Sequence, residues 1–429
     1  MIAPRRGVVI LDGVRTPFCK AWGVLEDVPA DELQRAAMAE SMARVDLDPR
    51  AVDEVVVGNI AQPADTTTLA RVAALRAGVP KSVPAVTVNR NCGSGLEAIA
   101  TAWERIESGL CDVVLAGGVE SMSRIPFQMG QGFTRRVMGL RKARSAMARA
   151  GALLGFRRAD ITPRSALEVG LRDAWSGLNM GETAEVLARR FGIGRAEQDA
   201  YALESHRRAV AARARLREEI LPYFPPPKHA PLLDDVGPRE DQSLEALGKL
   251  RPVFDRRWGT VTAGNSCMLT DGAAAVVVAS EEKARALGTP YLGRIRSFAF
   301  AGLDPEVMGL GPVYAARLAL ERAGLRLSDM QLIEINEAFA AQVLAVQRAC
   351  ASEAFGRDAL GLPGALGTID PEILNVNGGA IALGHPVGCS GVRLALTLLK
   401  EMARRNLSLG LAALCIGGGQ GAALVVERS

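Results

Sequence analysis

Residues 86–98 read VTVNRNCGSGLEA, and the rest of the chain is organised around them. Val86 and Val88 alternate with polar neighbours, as the end of a strand does. Asn91-Cys92-Gly93-Ser94-Gly95 is a turn signal, after which Leu96, Ile99, Ala100 and Trp103 recur at helical spacing. Cys92 therefore sits where a strand turns sharply into a helix start, a geometry that lifts a side chain out of the fold and aims it at a ligand. The helix N-terminus carries roughly half a positive charge, which favours a thiolate over a thiol. Small neighbours let a carbonyl approach the sulfur. A buried structural cysteine, the usual fate of a free thiol, is the competing reading. The flanking glycines at a strand–helix junction favour a nucleophile.

Outward from this turn, strands and helices alternate. Residues 7–11, 53–58 and 112–118 read as buried strands. Residues 31–44, with Asp31 as N-cap, and 69–77 read as helices. The alternation predicts a mostly parallel sheet covered by helices on both faces. The pattern changes after Ser123. Residues 135–175 are rich in Arg and Ala and lack strand signals, 181–214 read as helices, and 221–227 (LPYFPPP) open a loop. Residues 123–256 thus look like an insertion. From Gly259 the alternation resumes: a strand in 270–279, a helix over 312–323, a strand at 331–335, a helix over 337–350, a short strand at 373–376, a helix over 390–405, and strands at 409–416 and 422–426. The two outer portions share an element order, with a strand–turn–cysteine in each, which suggests duplication.

The totals bound the rest. A chain of 429 residues exceeds what one core usually holds, so two or three packed lobes are expected. With 48% hydrophobic and 23% charged residues, the composition is that of an ordinary globular protein rather than a disordered one. A net charge of +4 is too small to argue for nucleic acid. Seven Cys without a C-x-x-C pair read as reduced, cytoplasmic thiols. Only 3 His and no ligand spacing speak against a metal site. Residues 1–6 are too short and wrongly built for a secretory signal, and no run reaches the length of a membrane span.

Three further stretches carry chemistry. In 377–391, NGGAIALGHPVGCSG, Pro386 restricts His385 and the glycines remove bulk around it. His206, in a charged helix, and His229, after a proline-rich loop, read as surface residues, so His385 is the candidate base for Cys92. Cys415-Ile416-Gly417-Gly418-Gly419 places a cysteine at a strand end, beside free backbone N–H groups that can hold an oxyanion. A plain glycine turn between antiparallel strands would explain the glycines but not the cysteine. Asn336-Glu337-Ala338-Phe339 lies at a strand–helix junction, where Asn336 is either a functional amide or an ordinary N-cap. The glycines at 417–421 brush a dinucleotide fingerprint, but no acidic residue follows. Cys19, Cys111, Cys267 and Cys350 default to packing, and Cys389 lies near His385 in sequence without being needed.

Taken together, NCGSGLEA, GGVESMS (117–123), GTVTAGNS (259–266), NEAFA, NGGAIALGHPVGCSG and CIGGG resemble the thiolase family, in the family's order and across nearly the whole chain. The resemblance implies an α/β thiolase fold: a duplicated, layered αβαβα core with an inserted, mainly helical loop domain. It implies an N-terminal half in 1–122 completed by 257–282, an insertion in 123–256 and a C-terminal half in 283–429. It implies a homodimer or homotetramer acting on acyl-CoA and CoA, with CoA as co-substrate, no metal and no other cofactor. By motif, Cys92 resembles the acyl-accepting nucleophile, His385 its activator and Cys415 the second acid/base. Asn336 resembles the residue holding a water that, with His385, stabilises a thioester enolate. The N–H groups of Cys92 and Gly417 resemble a second oxyanion hole. Arg239, Leu250, Phe254, Ala263, Gly264, Met308, Ala338 and Phe339 fall at positions similar to CoA contacts. The activity implied is thiolytic cleavage of 3-ketoacyl-CoA in β-oxidation, with acetoacetyl-CoA synthesis as the alternative. Asn179-Met180-Gly181 stands where short-chain biosynthetic members carry His-Met-Gly, which argues for a degradative range. A related fold does ketoacyl-synthase chemistry, but that usually needs a second catalytic His, and the intact catalytic motifs argue against a catalytically silent subunit whose basic loop tethers a complex to a membrane. The basic segment 135–158 resembles β-subunits of the bacterial fatty-acid oxidation complex and reads as a docking surface for an α-subunit or an anionic membrane, or else as a solvated helical face.

Overall fold

The computed structural model describes residues 6–226 and 230–428. His229, residues 1–5 and the end of the 221–227 loop lie outside them. The strands are β1 (Val8–Arg15), β2 (Cys19–Lys20), β3 (Glu54–Gly58), β4 (Ala85–Val88), β5 (Val113–Ser121), β6 (Phe127–Gln128), β7 (Arg164–Ser165), β8 (Thr270–Ser280), β9 (Gly293–Gly302), β10 (Leu332–Ile335), β11 (Leu409–Ile416) and β12 (Gln420–Glu427). All except β6 and β7 join one sheet in the order β10-β11-β12-β9-β1-β8-β5-β3-β4, with β2 added on β8.

That order contains a repeat. In the first half the chain's third, second, fourth, fifth and first strands lie side by side as β4-β3-β5-β8-β1. In the second half Leu374, bridged to Ile333, takes the third place beside β10-β11-β12-β9. The halves meet where β1 pairs with β9, Val9 against Arg294 and Ile10 against Gly293. The expected mostly parallel sheet is in fact mixed. Strands linked by helical crossovers are parallel (β3 with β4 and β5, β10 with β11), but β8 and β12 run antiparallel to both neighbours. β8 arrives from the insertion and β12 follows β11 through a tight glycine turn, so neither needs a crossover. Residues 373–376 do not form the expected strand. Asn375 takes a positive φ of 47, and its side chain completes the ladder instead, accepting from Ile335 N at 2.8 Å and donating to Ile335 O at 2.9 Å.

Period-2 alternation builds three cores from these strands. In β8, Ala274, Val276 and Val278 face the central layer, while Ala273, Ala275 and Val277 face the outer helices Ala30–Arg44 and Leu69–Arg76. In β11, Ala412, Leu414 and Ile416 face the centre; Leu411, Ala413 and Cys415 face the other outer layer, with Gly311–Ala323 and Ala340–Ala351. The central layer is filled by two helices, Ser94–Glu107 and Ser390–Arg405. Asp31 is not the N-cap expected. The first outer helix starts after Pro29, and the Asp31 carboxylate pairs with Arg76 of the next helix.

Between β5 and β8 the chain leaves the layers. β6 and β7 pair Phe127 with Ser165 and Gln128 with Arg164, a short ladder where none was expected. It closes the base of an arm whose helices, Gln131–Lys142, Ala146–Leu154 and Arg158–Ile161, bury no residue. The helices Met180–Arg190 and Arg195–Ala211 then return to pack on the second half. Among the described residues no helix is long and apolar enough to cross a membrane.

Candidate active site

The two central helices begin at the same place, and glycine permits it. A Cβ on Gly95 would lie 2.8 Å from Val392 N, and one on Gly391 would lie 2.3 Å from Leu96 N. A Cβ on Gly118 would lie 2.4 Å from Gly388 O. The turn that precedes each helix is thereby brought to one spot, Cys92 before Ser94–Glu107 and His385 before Ser390–Arg405. Asn91 holds the Cys92 turn in a left-handed conformation with φ 46, a region Asn tolerates better than most residues.

The glycine loop between β11 and β12 closes over Cys92. The Gly417 N–H hydrogen-bonds the Cys92 sulfur, and Asn91 Nδ2 donates to Gly417 O at 2.8 Å. Gly418 and Gly419 have φ of 89 and 75, which glycine alone adopts without strain. Burial pushes the half-buried Cys92 thiol up to about 11; the N–H groups of Gly417 and Cys92 pull it down, and Glu120 pushes it up. Desolvation thus outweighs the helix N-terminus, and the thiolate expected from the sequence is a neutral thiol at rest. Cys415, fully buried, is pushed up by burial and by repulsion from Cys92 and Cys267.

His385 is held on every side. Its backbone N–H is shared between Thr270 Oγ1 at 3.1 Å and Met268 O at 3.4 Å. Ser390 Oγ donates to Pro386 O at 3.2 Å, so it accepts from His385 Nδ1–H at 2.6 Å. That leaves Nε2 with its lone pair toward the site, 3.4 Å from Asn336 Nδ2. Burial and the Arg393 cation lower the imidazole to about 3, so it is neutral. Asn336 is fully buried, its Oδ1 has no protein partner, and the following helix is capped by Phe339. The N-cap reading of Asn336 is therefore excluded.

Two carboxylates brace these turns. Glu120 accepts from Asn59 Nδ2, Ile60 N, Ala61 N and Gly388 N at 3.0–3.1 Å, tying β5 and the β3 loop to the His385 turn. Burial raises its carboxyl to about 7 despite those donors. Glu337, beside Asn336, accepts from Tyr201, Ser205, Asn375 and Ile381 N, which anchors the NEAFA stretch to the insertion helix Arg195–Ala211.

Cys267, expected to be mere packing, belongs to this cluster. Its N–H donates to Ala338 O at 3.0 Å, its neighbour Met268 holds His385, and burial followed by repulsion from Cys92 pushes its thiol up to about 12. Its position directly after GTVTAGNS was the available cue. Asn91, Glu120 and Ser390 lie within the quoted motifs, but nothing local assigned their roles: Asn91 and Glu120 act on partners remote in sequence, and Ser390 on an imidazole whose orientation only the folded turn sets.

The expected CoA-contact positions mostly gather on one wall. Phe254 and Phe339 meet edge to face at 6.0 Å, and Leu250 lies against Gly264, beside exposed Ala263. Met308 and Ala338 are buried in the same core as Phe339. Arg239 stands apart. Leu250 O is held by Arg195 at one end of a helix, whereas Arg239 N donates to His206 Nδ1 roughly 16 Å further along it at 1.5 Å per residue. His206 itself is buried rather than on the surface, its imidazole lowered to about 4 by burial and then by Arg239. Cys19, Cys111, Cys350 and Cys389 are buried and pack in the cores. Among the described residues no group of three or more His, Cys, Asp or Glu is placed to hold a metal ion.

Comparison with known proteins places this constellation. Family models for the thiolase N-terminal and C-terminal domains match residues 8–282 and 289–428. The chain is 40% identical over 423 residues to the 3-ketoacyl-CoA thiolase of Yersinia pestis strain Pestoides F, covering 98% of this chain and 96% of that protein. Its fold is similar to human mitochondrial 3-ketoacyl-CoA thiolase, with TM-score 0.86, 38% identity and 99% of both chains covered. It is equally similar to the acetyl-CoA acetyltransferase of Bacillus anthracis, with TM-score 0.86, 38% identity and 99% of both chains covered. On both sequence and structure, the chain belongs to the thiolase family.

Proposed function

We propose that the protein is a 3-ketoacyl-CoA thiolase of fatty-acid β-oxidation, cleaving 3-ketoacyl-CoA with CoA to acetyl-CoA and a shortened acyl-CoA. The observation that carries this is the Cys92 sulfur held by the Gly417 N–H, two residues beyond a second buried thiol, Cys415, with His385 supported on the adjoining turn.

With thiol and imidazole both neutral at rest, deprotonation is coupled to attack. Cys92 sulfur adds to the keto carbon as its proton passes to His385 Nε2. The resulting alkoxide collapses, the C2–C3 bond breaks, and the electron pair moves into a thioester enolate. Protonated His385, together with a water accepted by Asn336 Oδ1, stabilises the enolate oxygen. Cys415 gives its proton to C2, releasing acetyl-CoA and leaving an acyl-Cys92 thioester. The CoA thiol, losing its proton to the Cys415 thiolate, then attacks that thioester, and the N–H groups of Cys92 and Gly417 hold the tetrahedral oxyanion. Cys92 leaves and regains its proton from His385. No metal or redox group enters, and CoA is the co-substrate, its pantetheine set against Leu250, Phe254, Gly264 and Phe339. Cys415→Ala tests the scheme: acylation of Cys92 by a thioester should persist while cleavage collapses. Unimpaired cleavage would remove Cys415 from the mechanism.

The similarity to an acetyl-CoA acetyltransferase keeps the condensation direction as a second reading. Turnover of acetoacetyl-CoA against a ladder of longer 3-ketoacyl-CoA substrates separates the two. Three free thiols around one centre suit a reducing, cytoplasmic setting. The free edge of β4 supports a homodimer, two copies pairing across a twofold axis, or a tetramer built from it. The arm supports docking on an anionic lipid surface. Eight Arg and Lys residues lie between 131 and 159 with no acid, beside Met147 and Leu154, which are 84% and 87% exposed. Deleting 135–158 should abolish co-sedimentation with anionic vesicles. Unchanged sedimentation would remove lipid docking, and loss of a protein partner in its place would favour an α-subunit.

A further inference from the structure

The geometry points to Asn91 as the positioning residue of the hole formed by the Cys92 and Gly417 N–H groups, an inference that rests on the thiolase reading above. The two donors come from opposite halves of the chain. Cys92 N belongs to the turn after β4, and Gly417 N to the loop after β11. Nothing covalent fixes their separation. The second donor lies on a run of three glycines, the most conformationally free backbone a chain has. A hole of this kind works only when its donors are set before charge develops, so such a loop needs an external tether.

Asn91 supplies it. Its side-chain Nδ2 donates to the carbonyl of Gly417 at 2.8 Å, and a Cβ on either Gly417 or Gly418 would meet the same Nδ2, at 3.9 and 3.8 Å. The amide thus lies along the loop. Two features explain why Asn occupies the position. Its φ of 46 is a left-handed conformation that Asn tolerates, and its short amide reaches from there to the loop. The neighbouring Arg90 adds a second latch, donating to Gln420 Oε1 at 3.2 Å just beyond the glycines. Asn91 touches the hole only through the backbone it orients.

Two substitutions separate tether from turn. Asn91→Asp keeps the shape and the turn preference but loses the N–H donor and turns an anion on the carbonyl. Asn91→Gly keeps the positive φ and removes the side chain. Each should lower kcat for thiolysis by about 10-fold to 100-fold with KM for CoA unchanged, because loop position matters most when the oxyanion forms. The direct readout is infrared spectroscopy of Cys92 acylated with carbonyl-labelled acetyl groups. In the wild type the thioester carbonyl band should lie below that of acetyl-CoA in water, and in both variants it should return toward that value and broaden. A displaced wild-type band that both variants leave in place, with kcat unchanged, overturns the tether and leaves the hole standing. A wild-type band at the free-thioester position removes the hole, and the tether with it.

Discussion

Gly391→Ala tests the idea that the active site exists because two helix starts touch. A Cβ at residue 391 would lie 2.3 Å from Leu96 N and 2.9 Å from Gly95 C, against an ordinary contact distance of 3.4 Å. Both neighbours are backbone, so no side chain can swing aside. Relief requires the helices Ser94–Glu107 and Ser390–Arg405 to separate by about 1 Å, and overpacking of this kind costs about 1–3 kcal/mol. The functional cost should be larger. Cys92 moves with one helix and His385 with the other, and a displacement of about 1 Å between reacting groups costs on the order of 100-fold. The assay is kcat/KM for thiolysis beside urea unfolding of the same preparation. Gly139→Ala is the control: it lies within the exposed helix Gln131–Lys142, nothing stands within 4 Å of its Cβ, and it should gain about 0.5–1 kcal/mol with activity unchanged. A folded Gly391→Ala enzyme with wild-type kcat/KM would refute the reasoning.

Other perturbations address the supports of His385. Ser390→Ala removes the acceptor at 2.6 Å that keeps the proton on Nδ1, so kcat should fall on the order of 10-fold to 100-fold; nitrogen NMR of His385 should show mixed tautomers, and an unchanged spectrum would dismiss the role. Glu120, raised by burial to about 7 from 4.5, favours folding when protonated. Its contribution is complete below the unfolded value and is lost as pH rises through about 7, at no more than roughly 1.4 kcal/mol per pH unit. Stability of Glu120→Gln relative to wild type should therefore climb between about pH 4.5 and 7 and level off above, and a flat difference would contradict it. Arg393 and Glu334 form a fully buried pair at 2.9 Å, in which the Arg393 cation holds the Glu334 carboxyl down against the burial that raises it. Arg393→Met alone should destabilise by about 3–5 kcal/mol, and adding Glu334→Leu should recover most of it; equal losses in both variants would contradict the pairing argument.

Much of the molecule was legible from local pattern. The helix Ser390–Arg405 and the strand Leu409–Ile416 begin and end where apolar spacing and glycine punctuation place them, because these signals act within a few residues. The duplicated element order was also readable, as were the residues that carry chemistry: Cys92 at its turn, His385 between Gly and Pro, and Cys415 before three glycines.

Whatever depended on remote partners was decided by tertiary structure. β8 and β12 are antiparallel because of what they pair with, and Asn375 stands in for a strand because Ile335 lies beside it. Helix position alone argued for a Cys92 thiolate, but burial in the folded site outweighs the N–H donors of Cys92 and Gly417 and keeps the sulfur a thiol. Cys267 seemed inert until folding set it beside Cys92, and His206 seemed exposed until Arg239 and its surroundings enclosed it. Strand, turn and helix propensities are properties of neighbours in the chain, so sequence alone reveals them. Burial, charge–charge distance and hydrogen-bond partnership are properties of neighbours in space, and only the packed layers determine those.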